Sequence, residues 1–185
     1  MIFARLAGMK LEVISPEKTE THGYEAIGNP LGKIPVLEYQ PGRHLFDSRV
    51  ICEIMDLQRQ RPLLLEEGHT RYMHMRQHAL GDGLSDAVYN LRGEMMRPEA
   101  LHWDHMIARH EATIRETVKH LDGMIYELGE TWLFGNVAII CALDYAGYRA
   151  SHIDWRQMAP DLAKWHAGFA KKDIYLKTYA YGEVA

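Results

Sequence analysis

The period of the apolar residues changes at Arg59 to Pro62, and no other feature constrains the fold of this chain as strongly. Before it lie short strand-capable runs broken by proline and glycine, and then one helix. After it every segment reads as helix: about 70–97, with Tyr72, Met75, Ala79, Leu84, Val88, Leu91 and Met95 as its apolar stripe; about 99–128; about 137–149; and Pro160 to Ala170, with proline at the helix start. The expected organisation is α/β plus all-α: a small unit over residues 1–60, then an all-helical unit over residues 66–185. A chain of 185 residues, 47% of them hydrophobic, can bury a sizeable core in this arrangement.

Within the first unit, Ile2 to Gly8 reads as the last turns of a helix, and Leu11 to Ile14 as a short strand ended by Ser15-Pro16. Residues 17–28 are polar and weakly helical at best, and Pro30 and Gly32 mark a loop. Ile34 to Tyr39 is strand-like, Gln40-Pro-Gly-Arg43 suits a type II turn, and His44 to Phe46 can return as the partner strand. From Asp47 the period becomes helical, with Val50, Ile51, Ile54, Met55 and Gln58 on one face and Asp47 or Ser48 as the N-cap.

Composition excludes several classes of function. With 21 basic and 25 acidic residues the net charge is -4, which provides no basic field for nucleic acid or an anionic membrane. The longest apolar run, Val137 to Leu143, is far shorter than the roughly 20 residues of a membrane span, and the N-terminus has no signal-peptide pattern. The expected location is the cytoplasm. Cys52 and Cys141 are far apart with no CxxC pairing, so neither a disulfide framework nor a zinc site is expected, and both are expected to pack as small buried hydrophobes.

The histidines could suggest a metal, because His74 and His78 are one turn apart and His102, His105 and His110 lie close together. No cysteine or suitably spaced carboxylate completes a ligand set, so helix-surface histidines and no metal site are expected. Asp82 and Asp86 share a helix face and read as a solvated pair. Neither GxSxG nor GxxxxGK[ST] occurs.

More chemistry lies in NPLGKIPVL, residues 29–37. An Ile-Pro step at the mouth of a strand is a place for a cis peptide, and Pro35 lacks the N–H that would pair in a ladder. Ile34 could then offer its own N–H and C=O to an extended peptide-like ligand. Asp47 and Ser48, opening a helix, supply N–H groups and a hydroxyl for a carboxylate, and a carboxylate for an amine. The same residues also suit an edge strand, a turn and a capped helix with no ligand at all.

NPLGKIPVL followed by LFDSRVICEIMD resembles the N-terminal domain of glutathione S-transferases, a thioredoxin-like fold carrying N-P-x-G-K-[VI]-P and [ED]-S-x-x-I. Two further stretches are similar to bacterial members: GDGLSDAVYNLRGEMMRP, residues 81–98, and the tail DWRQMAPDLAKWHAGFAKKDIYLKT. The resemblance implies that Pro35 is the cis proline and that the Ile34 backbone holds the cysteinyl part of glutathione. By the same resemblance Asp47 and Ser48 hold the γ-glutamyl end, Lys33 lies near the tripeptide, and Val50, Ile51 and Ile54 are core. Asp86, Tyr89 and Arg92 become candidates for a second-substrate cleft. Glutathione as co-substrate, a small electrophile as the other partner and a homodimer are implied in the same way.

Two departures accompany the resemblance. In the family, a first strand and the loop bearing the thiolate-stabilising residue precede the IFARLAG-like helix, whereas Met1 here already lies within that helix. No catalytic residue is therefore assigned. It is expected upstream of Met1, the first unit is expected to be incomplete, and a non-catalytic ligand-binding or protein-interaction module on the same fold is the alternative. In GETWLFGNVAIICALDY, the family's Ser/Thr-x-x-Asp cap is replaced by Leu133 and Asn136, leaving Asn136 or Thr131 as the expected cap.

Overall fold

A computed structural model of the protein describes residues 1–15, 18–19, 23–24, 28–64 and 68–178, and the chain divides into units Met1–Leu64 and Leu65–Ala185. In the first unit, α1 (Ile2–Leu6) is followed by β1 (Lys18–Thr19), which pairs antiparallel with β2 (Gly23–Tyr24). The stretch 17–28, polar and weakly helical at best by sequence, contains this ladder; residues 17, 20–22 and 25–27 of it lie outside the described residues. The second ladder joins β3 (Leu37–Gln40) to β4 (Arg43–Leu45), and α2 (Ser48–Leu57) follows.

The hairpin starts later than its sequence pattern. Leu37 pairs with Leu45 and Glu38 with His44, while Ile34 to Val36 precede the ladder, because Pro35 has no N–H to donate. At the turn Gly42 takes φ 70°, and its N–H donates to Glu38 Oε1 at 2.6 Å. The expected strand Leu11 to Ile14 does not form. Among the described residues nothing pairs with it, and Val13 and Ile14 are exposed.

α2 packs on α1, burying Ile51 and Met55 with Ile2, Phe3 and Ala4. The expected apolar face is narrower than its period suggests: Ile54 is half-buried and Val50 is exposed rather than core. Asp56 is buried yet well partnered, since it accepts from the Leu63 and Leu64 N–H groups at 2.9 and 2.7 Å. Arg59 lies 3.4 Å from the same carboxylate and donates to the Leu6 carbonyl at the end of α1.

The second unit comprises α3 (His69–Met95), a 3₁₀ turn (Glu99–Leu101), α4 (Asp104–Gly123), α5 (Ile125–Leu128), α6 (Phe134–Arg149), α7 (Trp155–Met158), α8 (Pro160–Ala170) and α9 (Asp173–Leu176). α6 is apolar on nearly every side, as a helix at the centre of a core must be. Its main partner is α3, and the crossing is made close by two glycines. A Cβ on Gly81 would lie 2.6 Å from the Ala138 carbonyl carbon, and one on Gly135 would lie 2.8 Å from the His74 carbonyl oxygen. The apolar stripe expected on α3 is therefore only half correct. Leu84, Val88 and Leu91 are buried, but Tyr72, Ala79 and Met95 are exposed, and the buried N-terminal face carries His74, Gln77, His78 and Gly81.

The single helix expected over 99–128 is interrupted. Trp103 opens α4, and its N–H donates to Glu94 at 2.7 Å from the last turns of α3. That hydrogen bond, ahead of the bond and charge of Arg97, holds the Glu94 carboxyl below its ordinary value of 4.5 against the opposing effect of desolvation. A depressed folded pKa stabilises the fold above the ordinary glutamate value, and this contribution is lost as the pH falls through the lower folded value. In an acid titration the Trp103 amide resonance should shift with a midpoint below 4.5, and Glu94→Gln should abolish that step.

The turn into α6 is closed from within. Leu133 occupies the N-cap position with no side-chain cap, so neither Asn136 nor Thr131 is the cap. Asn136, fully buried, instead donates back to the Leu128 and Thr131 carbonyls at 2.6 and 3.1 Å. Gln77, Trp165 and Lys172 donate to the carbonyls of Glu127, Gly129 and Glu130. The carbonyls left open after α5 thus find side-chain donors. α8 also lacks a local side-chain cap, and Asp122 of α4 accepts from the Leu162 N–H in its first turn at 2.8 Å.

Candidate functional site

The loop before β3 is built around Asn29, which is buried. Its Oδ1 accepts from the Leu31 N–H at 3.0 Å, its Nδ2 donates to the Lys33 carbonyl at 2.8 Å, and its own carbonyl accepts from the Gly32 N–H at 3.0 Å. Gly28, at φ 73°, sits where any Cβ would overlap the His44 ring, so this end of the loop lies against β4. Lys33, Ile34 and Pro35 follow as exposed residues, and the Ile34–Pro35 peptide is cis. Among the described residues neither the N–H nor the C=O of Ile34 enters a hydrogen bond.

Asp47 is the N-cap of α2; its Oδ1 accepts from the Arg49 N–H at 3.0 Å, and the Phe46–Asp47 peptide is also cis. Ser48, half-buried, is the first residue of the helix. Because Leu37 faces Leu45 across the ladder, the chain entering β3 and the chain leaving β4 lie at one end of the hairpin. That end carries Ile34 and Pro35 on one strand and Asp47 and Ser48 beyond the other. The chemistry on offer is a peptide group unpaired among the described residues, a helix N-terminus and an exposed carboxylate.

Asp86, Tyr89 and Arg92 lie three residues apart on one side of α3, the first two exposed and the third half-buried. Tyr89 borders an open depression of about 440 Å³, together with Asn90, Gly93, Glu94, Met106 and His110; Asp86 and Arg92 are not among its lining residues. Desolvation pushes the Tyr145 phenol above its ordinary value, with Arg149 and Arg92 acting in the opposite direction.

Other sequence candidates take structural places. His74 and His78 are buried rather than on the helix surface: the His78 ring stacks on Phe134, and its Nδ1 is 3.1 Å from Asp82. Asp82 thus partners a histidine, while Asp86 remains exposed. Among the described residues no three His, Cys, Asp or Glu side chains converge as metal ligands would. The cysteines are not buried as expected, Cys52 being half-buried and Cys141 exposed. Desolvation in densely packed α6, with Asp144 adding, raises the Cys141 thiol, although its exposed surface limits that effect, so it is poorly suited to act as a thiolate. Among the described residues no helix is long and apolar enough to cross a membrane.

The polar side chains that sequence reasoning missed are Asn29 and a buried cluster of Asp144, His166 and Tyr175, while Asn136 was expected only as a cap. Asn29 did carry a signal, since Asn-Pro is a turn-initiating pair. The others stand in helical sequence with no local mark.

Three solved or curated proteins are similar to this chain over most of its length. A glutathione transferase family member from Pseudomonas fluorescens Pf-5, solved with bound glutathione, is 29% identical, with a TM-score of 0.90, over 96% of this chain and 90% of that one. Its complex with S-(propanoic acid)-glutathione matches at 30% identity and a TM-score of 0.81 over the same shares. A glutathione S-transferase from Methylobacillus flagellatus KT, with glutathione bound, is 27% identical at a TM-score of 0.87, again over 96% and 90%. The uncharacterized GST-like protein YibF of Escherichia coli K12 is 29% identical over 154 residues, 81% of this chain and 76% of that protein. No protein-family model matches the chain.

Proposed function

Because the chain belongs to the glutathione transferase family, with a thioredoxin-like unit followed by an all-helical one, we propose that it binds glutathione on the first unit and transfers its thiolate to a small electrophile. The observation that carries this reading is the Ile34 peptide group, unpaired among the described residues and set at the same end of the hairpin as Asp47 and Ser48. The cysteinyl backbone of glutathione adds to Ile34 as a short strand would, ahead of Pro35. The γ-glutamyl carboxylate meets the first N–H groups of α2 and the Ser48 hydroxyl, and its amine meets Asp47. Lys33 lies beside the tripeptide, and the electrophile is assigned to the face of α3 bearing Asp86, Tyr89 and Arg92.

Binding and turnover test different parts of this reading, because moving a thiol from about 8.5 toward neutrality requires a donor aimed at the sulfur. The protein should be retained on immobilised glutathione and eluted by the free tripeptide. Asp47→Asn keeps a good helix cap while removing the carboxylate charge; this variant and Ser48→Ala should each weaken glutathione binding by roughly tenfold, as measured by calorimetry. A conjugation assay with a generic electrophile then reads transfer. Retention without turnover would favour a ligand-binding module on this fold, and no retention would overturn the roles of Ile34, Asp47 and Ser48.

We further propose a homodimer acting in the cytoplasm. Neither Cys52 nor Cys141 is in a disulfide, which is compatible with a reducing compartment. Equilibrium sedimentation should give twice the mass of one chain, and a single-chain mass would reject the dimer.

A further inference from the structure

We propose that Asn29 is a positioning residue that aims the Ile34 N–H at the ligand, an inference resting on the glutathione-binding reading above. The geometry turns on one shared peptide unit. The Lys33 carbonyl and the Ile34 N–H belong to the same planar group, and in a trans peptide they point in opposite directions. Asn29 Nδ2 draws the Lys33 carbonyl toward the loop interior at 2.8 Å, so the Ile34 N–H on the far side of that plane is turned away from the loop. Among the described residues it meets no acceptor there, and Ile34 itself is 51% exposed.

The carboxamide is suited to this role because it must donate and accept at once. Its Oδ1 takes the Leu31 N–H while its Nδ2 gives to the Lys33 carbonyl, which also settles which side-chain atom is which. Asn29 is held from outside as well: Gly32 donates to its carbonyl, and the neighbouring Gly28 lies against the His44 ring. A free loop would present the Lys33–Ile34 peptide in many orientations, and a ligand would have to select one of them. Asn29 removes that ordering cost before binding.

The discriminating variant is Asn29→Asp, which keeps the acceptor for Leu31 and replaces the donor facing the Lys33 carbonyl with a repelling oxygen. Calorimetry on the full chain should show glutathione bound about tenfold more weakly by this variant than by the wild type. Tyr175→Phe, altered in the helical unit, should lose stability yet keep wild-type affinity, separating positioning from a general loss of fold. A second measurement needs no variant: the Ile34 amide of the wild type should exchange quickly with solvent alone and become protected when glutathione saturates the protein. Equal affinity of wild type and folded Asn29→Asp, or an Ile34 amide that glutathione leaves unprotected, would overturn the role of Asn29 while leaving glutathione binding intact. A wild type that binds no glutathione would overturn the functional reading, and the positioning role with it.

Discussion

Asp144→Ala should lower the thermal midpoint of the protein by on the order of 10 °C, the equivalent of about 3–5 kcal/mol. Asp144 lies within α6 and is buried, and one of its oxygens meets His166 Nε2 at 2.8 Å and accepts the Tyr175 hydroxyl at 2.9 Å. His166 and Tyr175 are buried as well, and the His166 ring packs edge-on against both Trp155 and Tyr175. One carboxylate therefore ties together α6, α8 and α9. Its removal takes a buried acceptor from His166 and from Tyr175, each loss costing about 1–3 kcal/mol, and opens a void among the surrounding rings. Tyr175→Phe removes the hydrogen bond to Asp144 but leaves the carboxylate paired with His166, and should cost about 0.5–1.5 kcal/mol. The two variants are compared by thermal unfolding at one pH, and equal effects would mean that Asp144 is not the centre of the cluster.

Gly81→Ala and Gly83→Ala should change stability in opposite directions although the two positions are two residues apart on α3. At Gly83 a new Cβ meets nothing within 4 Å. Alanine there gains helix propensity and loses unfolded-state entropy, stabilising the protein by about 0.4–1 kcal/mol. At Gly81 the same Cβ would lie 2.6 Å from the Ala138 carbonyl carbon and 2.8 Å from the Ile139 nitrogen, both backbone atoms of α6. No side-chain rotation relieves such an overlap, so α3 must move off α6 along its main packing surface. The net loss should be about 1–3 kcal/mol or more, despite the better helix propensity of alanine. Denaturant unfolding of the two variants measures both signs, and a stabilising Gly81→Ala would show that the helices do not cross there as closely as described.

These two sites indicate where sequence reading reached its limit. The start of α8 was legible because proline at N1 is a local mark, and the α2 N-terminus was legible because an Asp-Ser pair stands at a change of period. The N-terminal half of α3 was not, because a period-3.6 count credits Tyr72 and Ala79 and passes over a face of histidine, glutamine and glycine. That face is buried because α6 approaches it, and the approach is set by Gly135 more than 50 residues away. The interruption at Trp103 was hidden for a similar reason, since the carboxylate that takes its N–H stands nine residues earlier. In the candidate site, the cis step at Pro35 and the cap at Asp47 were legible from local chemistry, whereas Asn29 carried only a turn signal, because its role depends on which carbonyl its amide reaches.

What the sequence determined by itself is whatever depends on near neighbours along the chain. This covers the switch from a strand-bearing unit to a helical one, the proline that cannot join the ladder, the turn at Pro41-Gly42 and the cap at Asp47. Only the tertiary structure decided which polar residues are buried and what they hold: Asn29 against the Lys33 peptide, Asn136 against the carbonyls before α6, and Asp144 between His166 and Tyr175. A buried polar group is tolerated only where its partners stand within about 3 Å in the right direction. Asn136 finds its partners in the turn just before its own helix, whereas those of Asp144 come from α8 and α9, so no local pattern announces them.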